Sequence, residues 1–527
     1  MRRAAAGVAA AVALAAPAVA QATTAQDAAL ARKGITRAVA QHWVKPADAQ
    51  GYRAAVTRAL RDTKTLPGLR AGLVASQLSQ LTPLWTSYTS PRALALFSQL
   101  ETNLDYFETH ALPATRIDVA GDDGVVYRWF PRLGLEFHPL ASFGVLNDDA
   151  ASGDADATRT LADALVARAI PRSGRLLWEY QFRFAGGLPP WASGMAQAVA
   201  AQALARSAAL LEDTLLAADA VRAFASVPPL LLSLSSGPWI RLYGFNGQVV
   251  LNAQLQAILS LLEYAQATQD EAAAGLAQQL ATTAQALFPR FDTGDWSRYQ
   301  LGGAYASREY QKFVTDQLAK LAKQTQDPFW VATSQRFHAY YYDPPKVTQT
   351  ATPQTIWPQP ADGWLDTAPI TITLSMRASV TLAVGGRVST YKLGTGTRTI
   401  NWIPPAGLAP GTYPVQLAAT SYAGKKATYS LGPITVRADT TPPPVTASLS
   451  GTTLTWQADD PGTPWLALRV DLVDPSGVNP PQTVDLGQQP TSGSLALTPP
   501  PGTWQATLQA TNSAGLTTPY PLGTVTG

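Results

Sequence analysis

Cysteine is absent from all 527 residues. That absence excludes disulfides, thiolate nucleophiles and thiolate metal sites. Histidine is scarce too, with four widely spread residues, which argues against a histidine-rich metal centre. Charge is thin: 14% of residues are charged, and 39 Lys plus Arg against 36 Asp plus Glu leave a net charge of +3. Such a balance gives no argument from charge for a nucleic-acid partner, and none is expected. Beyond residue 22 no apolar run is long enough for a transmembrane helix. Hydrophobic residues, by contrast, make up 46% of the chain, so most of it is expected to be ordered. The length calls for roughly three domains.

Residues 1–22 read MRRAAAGVAAAVALAAPAVAQA. Arg2 and Arg3 precede a short apolar run, and Ala18-Val19-Ala20 or Ala20-Gln21-Ala22 offers a small-residue cleavage site. This is the pattern of a cleaved export signal, so a secreted, extracellular protein is expected. Residues 23–114 read as helical packing sequence. In Ser90–Thr109, Pro91 sits where a first-turn proline belongs, and Leu94, Phe97, Leu100, Leu104 and Phe107 recur at helical spacing.

Residues 115–345 form the next expected domain. Arg116–Val119 and Val125–Phe130 flank Gly121-Asp122-Asp123-Gly124, the signature of a β-hairpin. His138 follows, ahead of Pro139, at the start of a helix that lets it line a cleft. Helical segments then alternate with breaks rich in large side chains: Trp178–Trp191 leads into one helix, and Gly237–Gly247 leads into another. Aromatic loops feeding successive helices suit an (α/α) toroid or barrel around a central cleft. Trp178, Trp191 and Trp239 are the candidate platforms there, since the C–H faces of a sugar pack on aromatic rings.

After Tyr342, Thr, Pro and Gly dominate. Gly411–Gly424 (GTYPVQLAATSYAG) repeats as Gly502–Gly515 (GTWQATLQATNSAG), an offset of 502 − 411 = 91. Two modules of that length, 346–438 and 439–527, fit tandem immunoglobulin- or fibronectin-III-like β-sandwiches acting as spacers or in cell-surface association. The expected fold is thus mainly α, with a small β-hairpin and two terminal sandwiches.

The stretch from Phe291 to Tyr342 gathers cations and tyrosines. Phe291–Tyr299 (FDTGDWSRY) is similar to the YDTGSGTIY motif of the C-terminal domain of D-glucuronyl C5-epimerases. Ser307–Tyr310 running into Gln317-Leu318 resembles that family's WDYHTTHINQL segment, and Phe329–Tyr340 resembles its closing helix. Upstream, Trp191–Gln197 is similar to WYSAMAQG, and Val250-Leu251-Asn252 lies where the family has VLNG. Phe137–Leu140 falls on an aromatic-Pro-Ile pair. The resemblance spans about residues 125–345.

The resemblance implies epimerisation at C5 of a uronate within an acidic polysaccharide, with no cofactor, and a homodimer as one oligomeric state. Proton removal next to a carboxylate needs a base on one sugar face, an acid on the other, and donors for the growing charge. Carried over by motif, the catalytic residues are Tyr310, Tyr243 and Tyr299. A tyrosine serves as base only where cations or hydrogen bonds lower its pKa from about 10. Substrate-binding candidates are Trp191, Gln197 and Asn252, with Arg298, Arg308, Glu309 and Arg241 added from their charge and position. Leu242 stands where the family has a catalytic Glu, Gly302 where it has an Arg, and Gln311-Lys312-Phe313 replaces the paired His and Thr. Two other readings stay open: a glycan-binding or cell-envelope protein of the same fold, and a uronate lyase.

Overall fold

The computed structural model describes residues 23–349 and 354–527; the expected export signal lies outside them. The chain divides into two compact units between Tyr341 and Tyr342. Among the described residues no helix is long and apolar enough to cross a membrane.

The first unit opens with four helices: α1 (Thr24–Ala40), α2 (Pro46–Thr65), α3 (Leu69–Leu81) and α4 (Ser90–Thr109). Helix α4 buries Leu96, Phe97, Leu100, Leu104 and Phe107, close to the face its spacing predicts, while Leu94 sits at the edge. A three-stranded antiparallel sheet follows, β1 (Asp118–Ala120), β2 (Val126–Phe130) and β3 (Gly134–Phe137). The predicted hairpin is present, but a third strand extends it, because Gly134 at φ +114° turns the chain back in a conformation that glycine tolerates.

Eight further helices build the body: α5 (Pro139–Ser152), α6 (Ala155–Ala167), α7 (Gly194–Leu211), α8 (Thr214–Phe224), α9 (Leu251–Thr268), α10 (Glu271–Leu287), α11 (Arg308–Thr325) and α12 (Pro328–Tyr342). Helix α7 packs on both α5 and α9, and α9 packs on α11, so these four form an inner layer. Helix α6 lies against α5 and α7, α8 against α7, and α10 against α9. Alanine makes this layering work. Helix α7 reads GMAQAVAAQALARSAALL, and nearly all of it is buried, because methyl side chains let neighbouring helices close in on several sides.

The inner helices also share a stripe. Met195, Val199, Gln202 and Arg206 on α7, and Asn252, Gln256, Leu259 and Glu263 on α9, line one cleft. Both sets step by four, three and four residues, which keeps them on a single helix face. Of the expected (α/α) toroid or barrel, this unit shows the coarser feature, inner helices lining a cleft with further helices packed behind them.

Among the described residues after Tyr342 every regular element of the second unit is a strand, so the helical part of the expected fold lies in the first unit and the β part in the second. Its first core gathers Ile372, Val380, Leu382, Trp402, Leu417 and Val436 between a three-stranded and a five-stranded sheet. Its second gathers Trp456, Leu468, Val470, Trp504 and Leu508 between a three-stranded and a four-stranded sheet. The sequence repeat falls on equivalent hairpins, Gly411–Ser421 with Lys426–Val436 and Thr503–Thr511 with Thr517–Thr526.

Candidate active site

A cleft of about 1680 Å³ runs along the inner helices of the first unit. That exceeds the few hundred to about 1000 Å³ that usually holds one small ligand, and suits several linked sugar rings. One wall is aromatic: Phe130, Tyr180, Phe182, Phe184, Trp191 and Tyr243 all reach it. Trp191 is the centre of that wall. Its ring stacks on Tyr180 at 4.1 Å with 4° between planes, and meets Tyr243 edge-on at 5.8 Å. Its indole N–H donates to the Phe182 carbonyl at 2.8 Å, which fixes the ring within the wall, where it is largely buried among its aromatic neighbours.

Two chain segments are sewn together to make this wall. The Gly194 N–H donates to Arg241 O at 2.8 Å, and the Gly244 N–H donates to Ala192 O at 2.7 Å. Trp191 and Tyr243 therefore arrive as neighbours although they lie far apart in sequence. Ser193 caps α7 by accepting from the Ala196 N–H, so the helix starts directly after the junction.

The floor brings in the third segment. Tyr310 is buried near the start of α11, whose cap is Ser307. Its hydroxyl donates to Tyr299 O at 3.0 Å and accepts the Asn252 N–H at 2.9 Å. Gln317 adds a bond from Nε2 to Asn252 O at 3.0 Å. The start of α9, the Tyr299 loop and α11 are thus tied by side chain to backbone. Asn252 lines the cleft, and its side-chain oxygen is buried with no protein partner. Asn147 Oδ1, across the same cleft, is in the same condition. Both residues line the cleft, while these two oxygen atoms are themselves shielded from solvent.

The three tyrosines do not share one role. Tyr243 faces the cleft, whereas neither Tyr299 nor Tyr310 lines it. Burial pushes the Tyr243 hydroxyl up, and the neighbouring Tyr299 phenol adds to that. Tyr299 is also raised by burial, with Tyr243 easing it. Tyr310 is raised well above 10, again by burial. The lowered phenol pKa that the base role requires is therefore replaced by its opposite, because no cation lies among the causes. These groups hold their protons at neutral pH.

Among the other sequence candidates, Trp191 and Asn252 are on the cleft, and the rest are engaged elsewhere or exposed. Gln197 is fully buried and clamps Trp178, donating to its carbonyl at 3.1 Å and accepting its N–H at 3.2 Å. Arg241 donates to Asn246 O at 3.0 Å and stiffens the Tyr243 turn. Arg298 donates to Gly303 O at 2.6 Å and lies over the Tyr305 ring. Arg308 and Glu309 are exposed at the first turn of α11 and do not reach the cleft. Trp178 and Trp239, expected as platforms, are completely buried. Trp178 donates its indole N–H to Leu165 O, and Trp239 stacks on Phe291; both fill core.

Several cleft residues escaped the sequence reading. Arg128 on β2 and the Arg206–Glu263 pair line it, and Lys320 and Lys323 present exposed ammonium groups along α11. His138, noted for its place before Pro139, does line the cleft and caps α5. Alternation in β2 and the four-three-four stripes on α7 and α9 were the signals for the others. Among the described residues no group of three or more His, Asp or Glu side chains is arranged to hold a metal ion.

No curated protein matches the chain. Among solved structures, an endoglucanase from Komagataeibacter sucrofermentans is 14% identical at a TM-score of 0.28, covering 36% of this chain and 68% of that one. Endoglucanase Cel10 from Klebsiella pneumoniae, a family 8 glycosyl hydrolase, is 13% identical at 0.31, covering 40% and 73%. The fibronectin(III)-like modules of Clostridium thermocellum CbhA are 15% identical at 0.17, covering 34% and 93%. Residues 173–339, which supply most of the aromatic wall, match the family described as D-glucuronyl C5-epimerase C-terminus, the family that the motifs of this segment resemble.

Proposed function

We propose that this protein is a carbohydrate-modifying enzyme that epimerises C5 of uronosyl residues within an acidic polysaccharide. The observation that carries this reading is the aromatic cleft built from the matched segment, with the Tyr243 phenol at its wall. In such a reaction a base on one face of the sugar takes the C5 proton, the electron pair of the broken C–H bond delocalises into the adjacent carboxylate, and an acid on the opposite face gives a proton back to C5. Tyr243 suits the returning step: its O–H bond breaks as the C5–H bond forms, and Tyr299 stands behind it as the next phenol. The proton is held on Tyr243 by burial until a carbanion-like acceptor, far more basic, is in place.

The test is solvent exchange. The full chain is incubated with uronate polymers in deuterated water, and C5 is read by NMR. Deuterium at C5 supports the reading; its absence across several uronate polymers sinks it. A second reading, a glycan-binding protein of the same fold, is favoured by Leu242 in the cleft where the family has a catalytic Glu. Binding without exchange would select it, and absorbance from an unsaturated uronide would select a lyase instead. We infer also, from residues 1–22, that the protein acts outside the cell, with the β modules serving surface association; detection in the medium or at the cell surface checks this.

A further inference from the structure

One part of the cleft lies outside the family match. Arg128, on β2, is 4% exposed and lines the cleft. Its Nε and Nη2 form a two-pronged pair with Asp118, each at 2.7 Å. That leaves Nη1, which points at His138 Nε2 at 3.1 Å. His138 is 8% exposed, and its other ring nitrogen faces the Ala141 N–H at 3.1 Å as the cap of α5. Both imidazole nitrogens therefore face donors. A neutral imidazole carries one N–H and accepts at only one nitrogen, so one donor always opposes another. Protonation would make both contacts donor against donor; burial first, then Arg128 and Arg116, hold the ring well below its usual pKa.

The local charge is unbalanced as well. Arg116 lies close enough that Arg128 depresses its pKa further, after burial, while Asp118 is the carboxylate that opposes the two guanidiniums. Tyr180 stands beside them, its ring 5.4 Å from that of His138, with its hydroxyl accepting the Leu140 N–H at 3.4 Å. An arginine donor, an imidazole and a phenol thus converge at the edge of the aromatic wall, with excess positive charge and one unresolved donor conflict. A carboxylate resolves both: it accepts from Arg128 Nη1 and from His138 Nε2–H, and supplies the missing negative charge.

We propose that Arg128 and His138 form the carboxylate reader of the cleft, selecting hexuronosyl over neutral sugar units. This rests on the reading that the cleft takes an acidic glycan, and it places selectivity on the sheet that precedes the family-matched segment.

Calorimetric titration of the full chain with a hexuronate tetrasaccharide and its carboxyl-reduced counterpart tests it. The unaltered protein is expected to prefer the uronate by about tenfold or more, the scale of a charge-assisted hydrogen bond. Arg128→Gln is expected to abolish that preference. His138→Asn keeps a side chain that caps helices well and removes Nε2, so it is expected to cut the preference about three- to fivefold. Both variants should weaken binding of the uronate more than binding of the reduced sugar, and the ratio of the two affinities is the readout. If Arg128→Gln does not fold, His138→Asn carries the test alone. Equal affinity for the two sugars, binding of neither, or an unaltered preference in the variants overturns the proposal. The readout is independent of turnover. Preference without C5 exchange defeats the epimerase reading and leaves the reader standing, and exchange without preference does the reverse.

Discussion

Tyr243 and Tyr310 carry the same phenol into different surroundings, and those surroundings separate proton transfer from architecture. Tyr243 meets the cleft, while Tyr310 spends both its hydrogen-bonding capacities on backbone groups of the Tyr299 loop and α9. Tyr243→Phe is therefore expected to slow C5 deuterium uptake roughly 100-fold or more, the usual scale of a general acid, with the melting temperature nearly unchanged. Tyr310→Phe strands the buried Asn252 N–H, and should instead cost about 1–3 kcal/mol of stability, read from urea unfolding. If Tyr310→Phe left stability intact and stopped exchange, the division of roles would be wrong. Motif matching found both tyrosines but not the difference between them, because direction and burial are set by the tertiary fold. The same limit applies to the tryptophans: Trp178, Trp191 and Trp239 look alike at loop-to-helix junctions, yet of the three only Trp191 lines the cleft.

Between elements, the decisive contact is the junction of α7 with the chain that carries Tyr243. Gly194 opens α7 against Ile240 and Arg241; a Cβ there would stand 2.8 Å from Ile240 Cδ1 and 3.0 Å from the Arg241 carbonyl. The carbonyl oxygen is backbone and also accepts the Gly194 N–H, so it has little room to yield. Gly194→Ala is expected to destabilise the first unit by about 1–3 kcal/mol. It should also weaken binding of oligosaccharides, neutral and acidic alike, because Trp191 and Tyr243 would no longer meet edge-on. Calorimetry and titration on one variant check both halves; unchanged affinity would show that the aromatic wall is set elsewhere. Helix α4 was legible from its apolar spacing and first-turn Pro91, α9 from its apolar spacing, and the β-modules from their repeat. The cap position of α4 is Thr89 and not Ser90, however, and neither helix has a side-chain cap. The third strand Gly134–Phe137 was not legible. Its four residues are all buried, so it lacks the alternation that marks a half-exposed strand.

At the scale of the whole first unit, stability depends on a charge its core would rather not hold. Glu136 on β3 is completely buried, with Gln77 and Gln80 donating to one carboxylate oxygen at 2.9 and 2.7 Å and Gln99 to the other at 2.8 Å. Burial pushes its pKa up from 4.5 to about 7, and the three amides offset only part of that. The folded state therefore binds this proton more tightly than the unfolded chain does. Below about pH 4.5 the group is protonated in both states and costs nothing. As pH rises through the window from 4.5 to about 7, the unfolded chain ionises first, and stability falls until the folded group ionises too; above that it levels off. At about 1.4 kcal/mol per pKa unit, the swing is on the order of 3 kcal/mol. Glu136→Gln keeps the side-chain shape, removes the ionisation and should flatten this dependence. The measurement is amide exchange of Gly134–Phe137 and α4 at pH 5 and pH 7.5, corrected for intrinsic rates. Protection should fall with pH in the unaltered protein and hold level in the variant. A slope that survives the substitution would place the titrating group elsewhere. Since β3 pairs with β2, which carries Arg128, this charge sits one strand behind the proposed reader, and loosening of β3 at high pH should weaken uronate preference before it affects binding of the neutral sugar.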